Sequence, residues 1–154
     1  MLVSEILRIK GSTLYCATPD MSVADAVHTM ADLDIGSLVV MDKGKLAGIL
    51  TFRELIKVLD ERGSELKAMT VGEIMEHDPL TSAPGVDVQM LRKSMLDRHA
   101  RYIPVMDAGT LLGVLSFHDV AKAVYEEQSF ENRMLKSYIK NRPDEEETTA
   151  QPLS

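Results

Sequence analysis

The hydrophobic residues in the first half of the chain follow two different patterns. One is a stripe at i, i+3, i+4 and i+7, which predicts an amphipathic helix and consists of Val23, Ala26, Val27 and Met30. The other is a pair of nearly continuous apolar runs, residues 37–41 and 46–50, separated by a tight turn that begins at Asp42. Such runs are typical of a hairpin of buried strands. A second helical stripe begins at Phe52, and a short strand is predicted near Cys16, so this half reads β-α-β-β-α.

The second half of the chain repeats this pattern. At a shift of 65 residues, Pro19–Asp60 aligns with Pro84–Tyr125 without a gap, and 13 of the 42 positions are identical. At a shift of 68, Val3–Leu7 aligns with Val71–Met75. The predicted organisation is repeat 1 at residues 1–65, repeat 2 at residues 66–128, a C-terminal helix at residues 129–140 and a disordered acidic tail at residues 141–154.

The two repeats are predicted to form one folding unit. Neither is large enough to bury a stable core alone, and the strands of each have apolar side chains toward both faces. We therefore predict an α+β fold in which two β-α-β-β-α repeats pack as a pseudo-two-fold pair. Clefts between two such halves are common sites for small ligands.

The composition narrows the class of protein. The 154 residues include 17 Lys and Arg against 24 Asp and Glu, a net charge of −7, so we do not expect nucleic acid as a partner. No apolar run approaches the ~20 residues of a membrane span, no secretory signal is visible, and one cysteine excludes an internal disulfide. We therefore expect a cytoplasmic protein with no membrane partner. The four histidines lack metal-ligand spacing, and we expect no metal.

The residues best suited to chemistry lie where the second strand of each hairpin leads into the last helix. Each of these strand-to-helix junctions carries a hydroxyl, a basic group and an acidic group. These residues are Thr51, Arg53 and Glu54 in repeat 1 and Ser116, His118 and Asp119 in repeat 2. A helix N-terminus attracts anions, the basic groups could add charge to a phosphate, and the acidic groups could accept hydrogen bonds from sugar hydroxyls. The same spacing also forms a capping box, which serves only the helix itself, and the local sequence alone favours that structural interpretation.

The strand before the second junction completes a longer pattern. Repeat 2 reads Arg-Tyr-Ile-Pro-Val-Met-Asp over residues 101–107 and Gly-Val-Leu-Ser-Phe-His-Asp over residues 113–119. This resembles the signature of the cystathionine β-synthase (CBS) domain, and the two repeats in register resemble a tandem CBS pair, or Bateman module, over about residues 1–128. Repeat 1 departs from the signature twice, with Val39 in place of the proline and Glu54 in place of the aspartate.

The resemblance implies a sensor of adenine nucleotides such as AMP, ADP, ATP or NAD, with no catalytic residues. In the family, the Ser or Thr contacts phosphate or ribose, the Asp holds the ribose hydroxyls, and backbone groups of the strands grip the base. For site 1 this implies Cys16, Gly36, Ser37, Val39, Thr51, Arg53 and Glu54, and for site 2 Thr81, Arg101, Tyr102, Pro104, Ser116, His118 and Asp119. Of the two sites, we expect the Asp119 site to be the better nucleotide pocket, and of the two basic residues we expect Arg53, in site 1, to be the better phosphate ligand.

Other features of the chain leave the function open between two classes. Cys16 has no identifiable base, so we expect a buried, unreactive thiol. The apolar stripe within residues 130–139 either packs on its own module or covers a partner, and the family usually forms homodimers. One possible function is a regulatory module that binds a nucleotide and changes its dimer packing. The alternative is a ligand-free module that regulates a separate protein. We find no nucleophile–base pair or metal set that would predict an enzyme.

Overall fold

The computed structural model describes residues 1–11, 13–63 and 65–140, which fold as the predicted α+β unit. A short lead helix lies near the start of each repeat. The elements in chain order are α1 (Val3–Lys10), β1 (Cys16–Ala17), α2 (Val23–Leu33), β2 (Ser37–Asp42), β3 (Lys45–Thr51), α3 (Phe52–Arg62), α4 (Val71–Ile74), β4 (Glu76–His77), α5 (Val88–Arg98), β5 (Tyr102–Asp107), β6 (Thr110–Ser116) and α6 (Phe117–Lys140).

Capping hydrogen bonds confirm the predicted starts of α2 and α5. The Ser22 hydroxyl accepts from the Asp25 amide at 3.0 Å, and the Asp87 carboxylate accepts from the Gln89 amide at 2.9 Å. Each bond satisfies one of the amide groups that a helix start leaves unpaired. The apolar stripes that follow these caps provide the buried faces of both helices.

The two sheets are unequal although the repeats are similar in sequence. Each repeat forms its predicted hairpin, β2–β3 or β5–β6, with a bulge at the equivalent place. In the first sheet β1 adds parallel to β2, and β4, which the sequence pattern does not predict, adds antiparallel to β3. In repeat 2 the counterpart of β1, which the 65-residue shift predicts near Thr81, is reduced to one parallel bridge between Ser82 and Val105. Within the described ranges, no strand pairs with the outer edge of β6.

The lead helices are exchanged between the two hydrophobic cores. The core of the first half includes Val71 from α4, and the core of the second half includes Val3 from α1. Backbone bonds fix both exchanges, because the Val71 amide donates to the Met21 carbonyl at 2.8 Å and the Val3 amide donates to the Val86 carbonyl at 2.9 Å. The predicted division after residue 65 therefore separates the repeats in sequence, whereas each packed half takes its lead helix from the other repeat.

Helix α3 buries a narrower face than its apolar stripe suggests. Leu55 and Val58 are buried, whereas Phe52, Ile56 and Leu59 are each more than half exposed. This helix therefore presents an apolar surface outward as well as one toward the core.

Helix α6 is longer than the last helix of repeat 1. Residues 129–140 continue it directly from the repeat, without a break after residue 128. The apolar side chains of this extension are exposed in the single chain, including Phe130 at 56% and Tyr138 at 66%. Among the described residues, no helix combines the length and the apolar character needed to cross a bilayer, α6 included. The predicted acidic tail lies outside the described residues.

Candidate functional site

The hairpin registers bring the predicted residues of each repeat together. Ser37 at the start of β2 pairs with Thr51 at the end of β3, and Tyr102 at the start of β5 pairs with Ser116 at the end of β6. The start of one strand and the strand-to-helix junction of the next are therefore neighbours in both halves.

The first junction forms the complete capping box that its spacing predicts. The Thr51 amide and the Thr51 hydroxyl both donate to Glu54 Oε1, at 2.7 and 2.8 Å, and the Thr51 hydroxyl accepts from the Arg53 amide at 3.2 Å. These bonds fix the rotamers of Thr51 and Glu54 at the start of α3. Both bonds to the carboxylate use Oε1, so the capping box leaves the acceptor capacity of Oε2 unused.

The second junction forms the same box and carries an additional contact. The Ser116 amide donates to Asp119 Oδ2 at 2.9 Å, and the Asp119 amide donates to the Ser116 hydroxyl at 3.0 Å. Lys10 Nζ also lies 2.7 Å from Asp119 Oδ2. Partial burial by itself would raise the pKa of the Asp119 carboxyl, but the hydrogen bond from Lys10, together with those from Ser116, outweighs burial and lowers this pKa below its ordinary value.

A cleft of about 550 Å³ joins residues of the two predicted sites. The first junction of repeat 1 lines one side of the cleft. Most of the residues that repeat 2 contributes lie at or before the start of β5. Its lining is Thr51, Phe52, Arg53, Glu54, Ile56, Glu76, Leu80, Met95, Leu96, Arg98, His99, Ala100, Arg101, Tyr102 and Phe117. The resemblance favours the Asp119 site, but Glu54 lines this cleft and Asp119 does not.

The wall of this cleft depends on Gly36, a residue of repeat 1 just before β2. A Cβ atom on Gly36 would collide with the hydroxyl of Tyr102 and would lie 2.8 Å from a ring carbon of Phe52. The absence of a side chain at Gly36 therefore lets the two aromatic rings, one from each repeat, occupy their places in the cleft wall.

The remaining predicted residues lie away from this cleft. Val39 and Pro104 are buried inside their hairpins, and Cys16 pairs with Val39 in the first sheet. Cys16 is exposed, so the predicted buried thiol is wrong, although partial desolvation still raises the pKa of this thiol. Thr81 lines a separate cavity of about 460 Å³ with residues of α5, and His118 is exposed on the first turn of α6.

A family model described as "CBS domain" matches residues 3–61 and 71–126. The chain belongs to the CBS-domain family. It is 35% identical over 147 residues to the mitochondrial CBS domain-containing protein CBSX3 of Arabidopsis thaliana, an alignment that covers 89% of this chain and 71% of that protein. The pseudo-two-fold packing of the repeats predicted from the sequence is thus that of a CBS pair.

Solved structures of other CBS proteins share the fold. A CBS-domain-containing protein from Agrobacterium tumefaciens superposes with a TM-score of 0.76 at 30% identity, over 80% of this chain and 98% of that one. CBSX2, solved in complex with AMP, superposes with a TM-score of 0.66 at 25% identity, over 75% of this chain and 90% of that one.

The sequence reasoning missed several residues that the CBS fold brings into the cleft. Arg98 and His99 end α5 just before the predicted Arg101, and Glu76 comes from the unpredicted strand β4. Two arginines and a histidine within four positions, residues 98–101, are visible in the sequence. Their position opposite the first junction is decided only by how the repeats pack. Among the described residues, no group of three His, Cys, Asp or Glu side chains is arranged to hold a metal ion.

Proposed function

We propose that this CBS pair is a regulatory module that binds an adenine nucleotide in the cleft between its repeats. The observation that carries the proposal is the cleft itself, which has the volume of a small-molecule site. It combines the hydroxyl and carboxylate of the first junction with arginine side chains from both repeats, so a ligand there touches both halves of the module.

The charges of the cleft suit a nucleoside phosphate. The lining contains the three arginines Arg53, Arg98 and Arg101 against the two glutamates Glu54 and Glu76. This local excess of positive charge occurs on a chain whose net charge is −7. Arginine presents several donors to phosphate oxygens, and Arg53 lies on the first turn of α3, where the helix dipole adds to the attraction.

The other walls suit a ribose and a base. The Glu54 carboxylate is held by Thr51 through one oxygen, so its second oxygen can accept from ribose hydroxyls. Apolar groups of Leu80, Ile56 and Tyr102 line the same cavity and can cover the faces of a purine. The structure of CBSX2 with AMP, at 25% identity, supports AMP as the first ligand to test.

Calorimetric titration of AMP and adenosine tests this proposal. Arg53→Ala should weaken AMP about tenfold or more and adenosine little, because adenosine has no phosphate. Glu54→Gln, which keeps an oxygen for the capping bonds, should weaken both ligands. Lys57→Ala removes a cation one turn further along α3, outside the cleft lining, and should change neither affinity.

Two results would contradict the proposal. If AMP, ADP, ATP, NAD and adenosine all fail to bind the wild-type chain below millimolar concentration, the nucleotide function is wrong. If AMP binds but Arg53→Ala leaves its affinity unchanged, the nucleotide does not use this cleft as assigned.

We propose that the module works as a homodimer and has no catalytic activity of its own. The exposed apolar side chains of residues 130–139 extend beyond the CBS fold, and a second copy of the chain would cover them. Ligand binding between the repeats would then alter the packing of the dimer. The cytoplasmic location stays a prediction, since the Arabidopsis relative is named as mitochondrial.

A ligand-free interaction module is the second candidate function. The observation that favours it is that both junctions form complete capping boxes, so their polar side chains already have a structural role. In that case the clefts bind no nucleotide, and a partner protein recognises the exposed surface of the pair.

A further inference from the structure

Lys10, the last residue of α1, makes a contact at the second junction that the first junction lacks. Its Nζ lies 2.7 Å from Asp119 Oδ2 and 2.7 Å from the carbonyl oxygen of Val114. At the alignment shift of 65 residues, Asp119 corresponds to Glu54 and Val114 corresponds to Ile49. At the first junction Glu54 lines an open cleft, whereas at the second the equivalent carboxylate is held by an ammonium group.

The unequal sheets explain why a lysine can reach this position. In the first sheet, Ile49 on the edge of β3 is covered by β4 through its pairing with Glu76. In the second sheet no described strand covers β6, so the Val114 carbonyl is accessible from the side. The ammonium group of Lys10 donates a hydrogen bond to this carbonyl and another to the Asp119 carboxylate.

The packing of α1 holds Lys10 in place. Val3 is fully buried in the second core, and Leu7 rests on Gly113, where an added Cβ would lie 2.7 Å from a Leu7 methyl group. One turn later the helix ends at Lys10, and Gly11 follows at φ = 97°. The side chains of Lys10 and Asp119 remain 41% and 22% exposed, so the ion pair can open without unfolding the helix.

We propose that Lys10 is an autoinhibitory residue that keeps the second CBS site closed to ligand. This inference rests on the proposed function, because the ligand it excludes is the adenosine moiety. A ribose diol that binds at the second junction needs the Asp119 carboxylate as its acceptor, and Lys10 must leave before both hydroxyls can be bonded. The two sites of the chain therefore differ in affinity, with the first open and the second held back by a residue of the exchanged lead helix.

Site-resolved NMR with adenosine tests the proposal, with the amides of Thr51 and Ser116 as reporters of the two sites. Adenosine is uncharged, so loss of Lys10 cannot act through a phosphate. Lys10→Met should lower the dissociation constant seen at Ser116 about tenfold and leave that seen at Thr51 unchanged. Arg8→Met removes an exposed cation from the same helix and should change neither value. Lys10→Arg keeps an ion-pair partner and should remain closed.

Each outcome separates this inference from the proposed function. The inference is overturned if Lys10→Met leaves binding at Ser116 unchanged, if that site stays empty in both proteins, or if the variant weakens AMP there, since Lys10 would then be a phosphate ligand. It is supported if binding at Ser116 tightens, even when Thr51 reports no ligand. Absence of ligand at Thr51 in the wild-type chain bears on the proposed function alone.

Discussion

The exchange of the lead helices makes a sharp prediction about stability. Ile6 lies on α1, near the start of the chain, yet it is only 5% exposed and belongs to the core of the second half. Ile6→Ala removes three buried carbon atoms and leaves a cavity. Substitutions of this kind cost about 2–5 kcal/mol. Because Met1 and Leu7, which pack against the same core, are only partly buried and can relax, we expect about 2–3 kcal/mol.

Ile9→Ala is the matched control, because Ile9 lies on the same helix and is 74% exposed. Exposed substitutions away from special features usually change stability by less than about 0.5 kcal/mol. Urea unfolding followed by circular dichroism measures both variants. With a slope of about 2 kcal/mol/M, Ile6→Ala should lower the midpoint by about 1–1.5 M, and Ile9→Ala should barely move it.

Hydrogen exchange then shows where the stability is lost. If α1 is part of the second core, Ile6→Ala should accelerate exchange in α5, β5 and β6 more than in α2, β2 and β3, since local opening follows the packed unit. An effect confined to α1, or equal stability of the two variants, would refute the exchange, because α1 would then be a frayed terminal helix. Acceleration mainly in α2 would assign α1 to the first core.

Three further predictions concern the site and the assembly. Gly36→Ala should push the neighbouring aromatic rings into the cleft and weaken AMP about tenfold, a loss of about 1.4 kcal/mol, while calorimetric titration of Gly85→Ala, which has open space for a Cβ, shows no change. Because Lys10 helps to lower the pKa of Asp119, Lys10→Met should raise this pKa in a ¹³C NMR titration. Because the folded-state pKa lies below the ordinary value, the ionised carboxylate stabilises the fold at pH values above the ordinary pKa, and this stabilisation is lost as the pH falls through the folded-state pKa. The stability difference between wild type and Lys10→Met, at most about 1 kcal/mol, should therefore vanish in acid. Met134→Glu on the exposed part of α6 should convert the proposed dimer to a monomer in light-scattering measurements.

Each of these predictions has an outcome that contradicts it. Equal AMP affinity in the two glycine variants would mean that the rings near Gly36 do not limit the cleft. A stability difference that persists below the pKa of Asp119 would show that Lys10 acts through packing and not through charge. For the dimer, Glu131→Gln changes a charge on the same exposed segment without adding one to the apolar surface, and this variant should stay dimeric. A dimer that persists in Met134→Glu would place the partner contact elsewhere, and a monomeric wild type would contradict the dimer itself.

The periodicity of the apolar residues and the internal repeat predicted most of the helices and strands of the fold. The helix starts at Ser22 and Asp87 and the two hairpins follow from local rules, because a capping side chain and a tight turn act within a few residues. The capping boxes at Thr51 and Ser116 were likewise predictable. The exposed apolar face of α3 was not predictable, because an apolar stripe does not indicate which of its residues contact the core.

The candidate site shows the same division. The sequence identified Thr51, Arg53 and Glu54 as one set and Arg101 and Tyr102 as part of another, since each set lies close together along its own repeat. The structure puts all five around one cleft. Their meeting depends on contacts between repeats, for which local spacing gives no signal.

The sequence by itself determined that the chain is a pair of CBS repeats with matched junctions, because the repeated pattern and its motifs are local. Only the tertiary structure decided that the lead helices change places, that one sheet has four strands and the other two, and that Lys10 meets Asp119 across 109 residues of chain. The apolar patterns of two similar repeats are compatible with more than one arrangement. The choice among them is made by packing between distant segments, and that choice makes the two sites unequal.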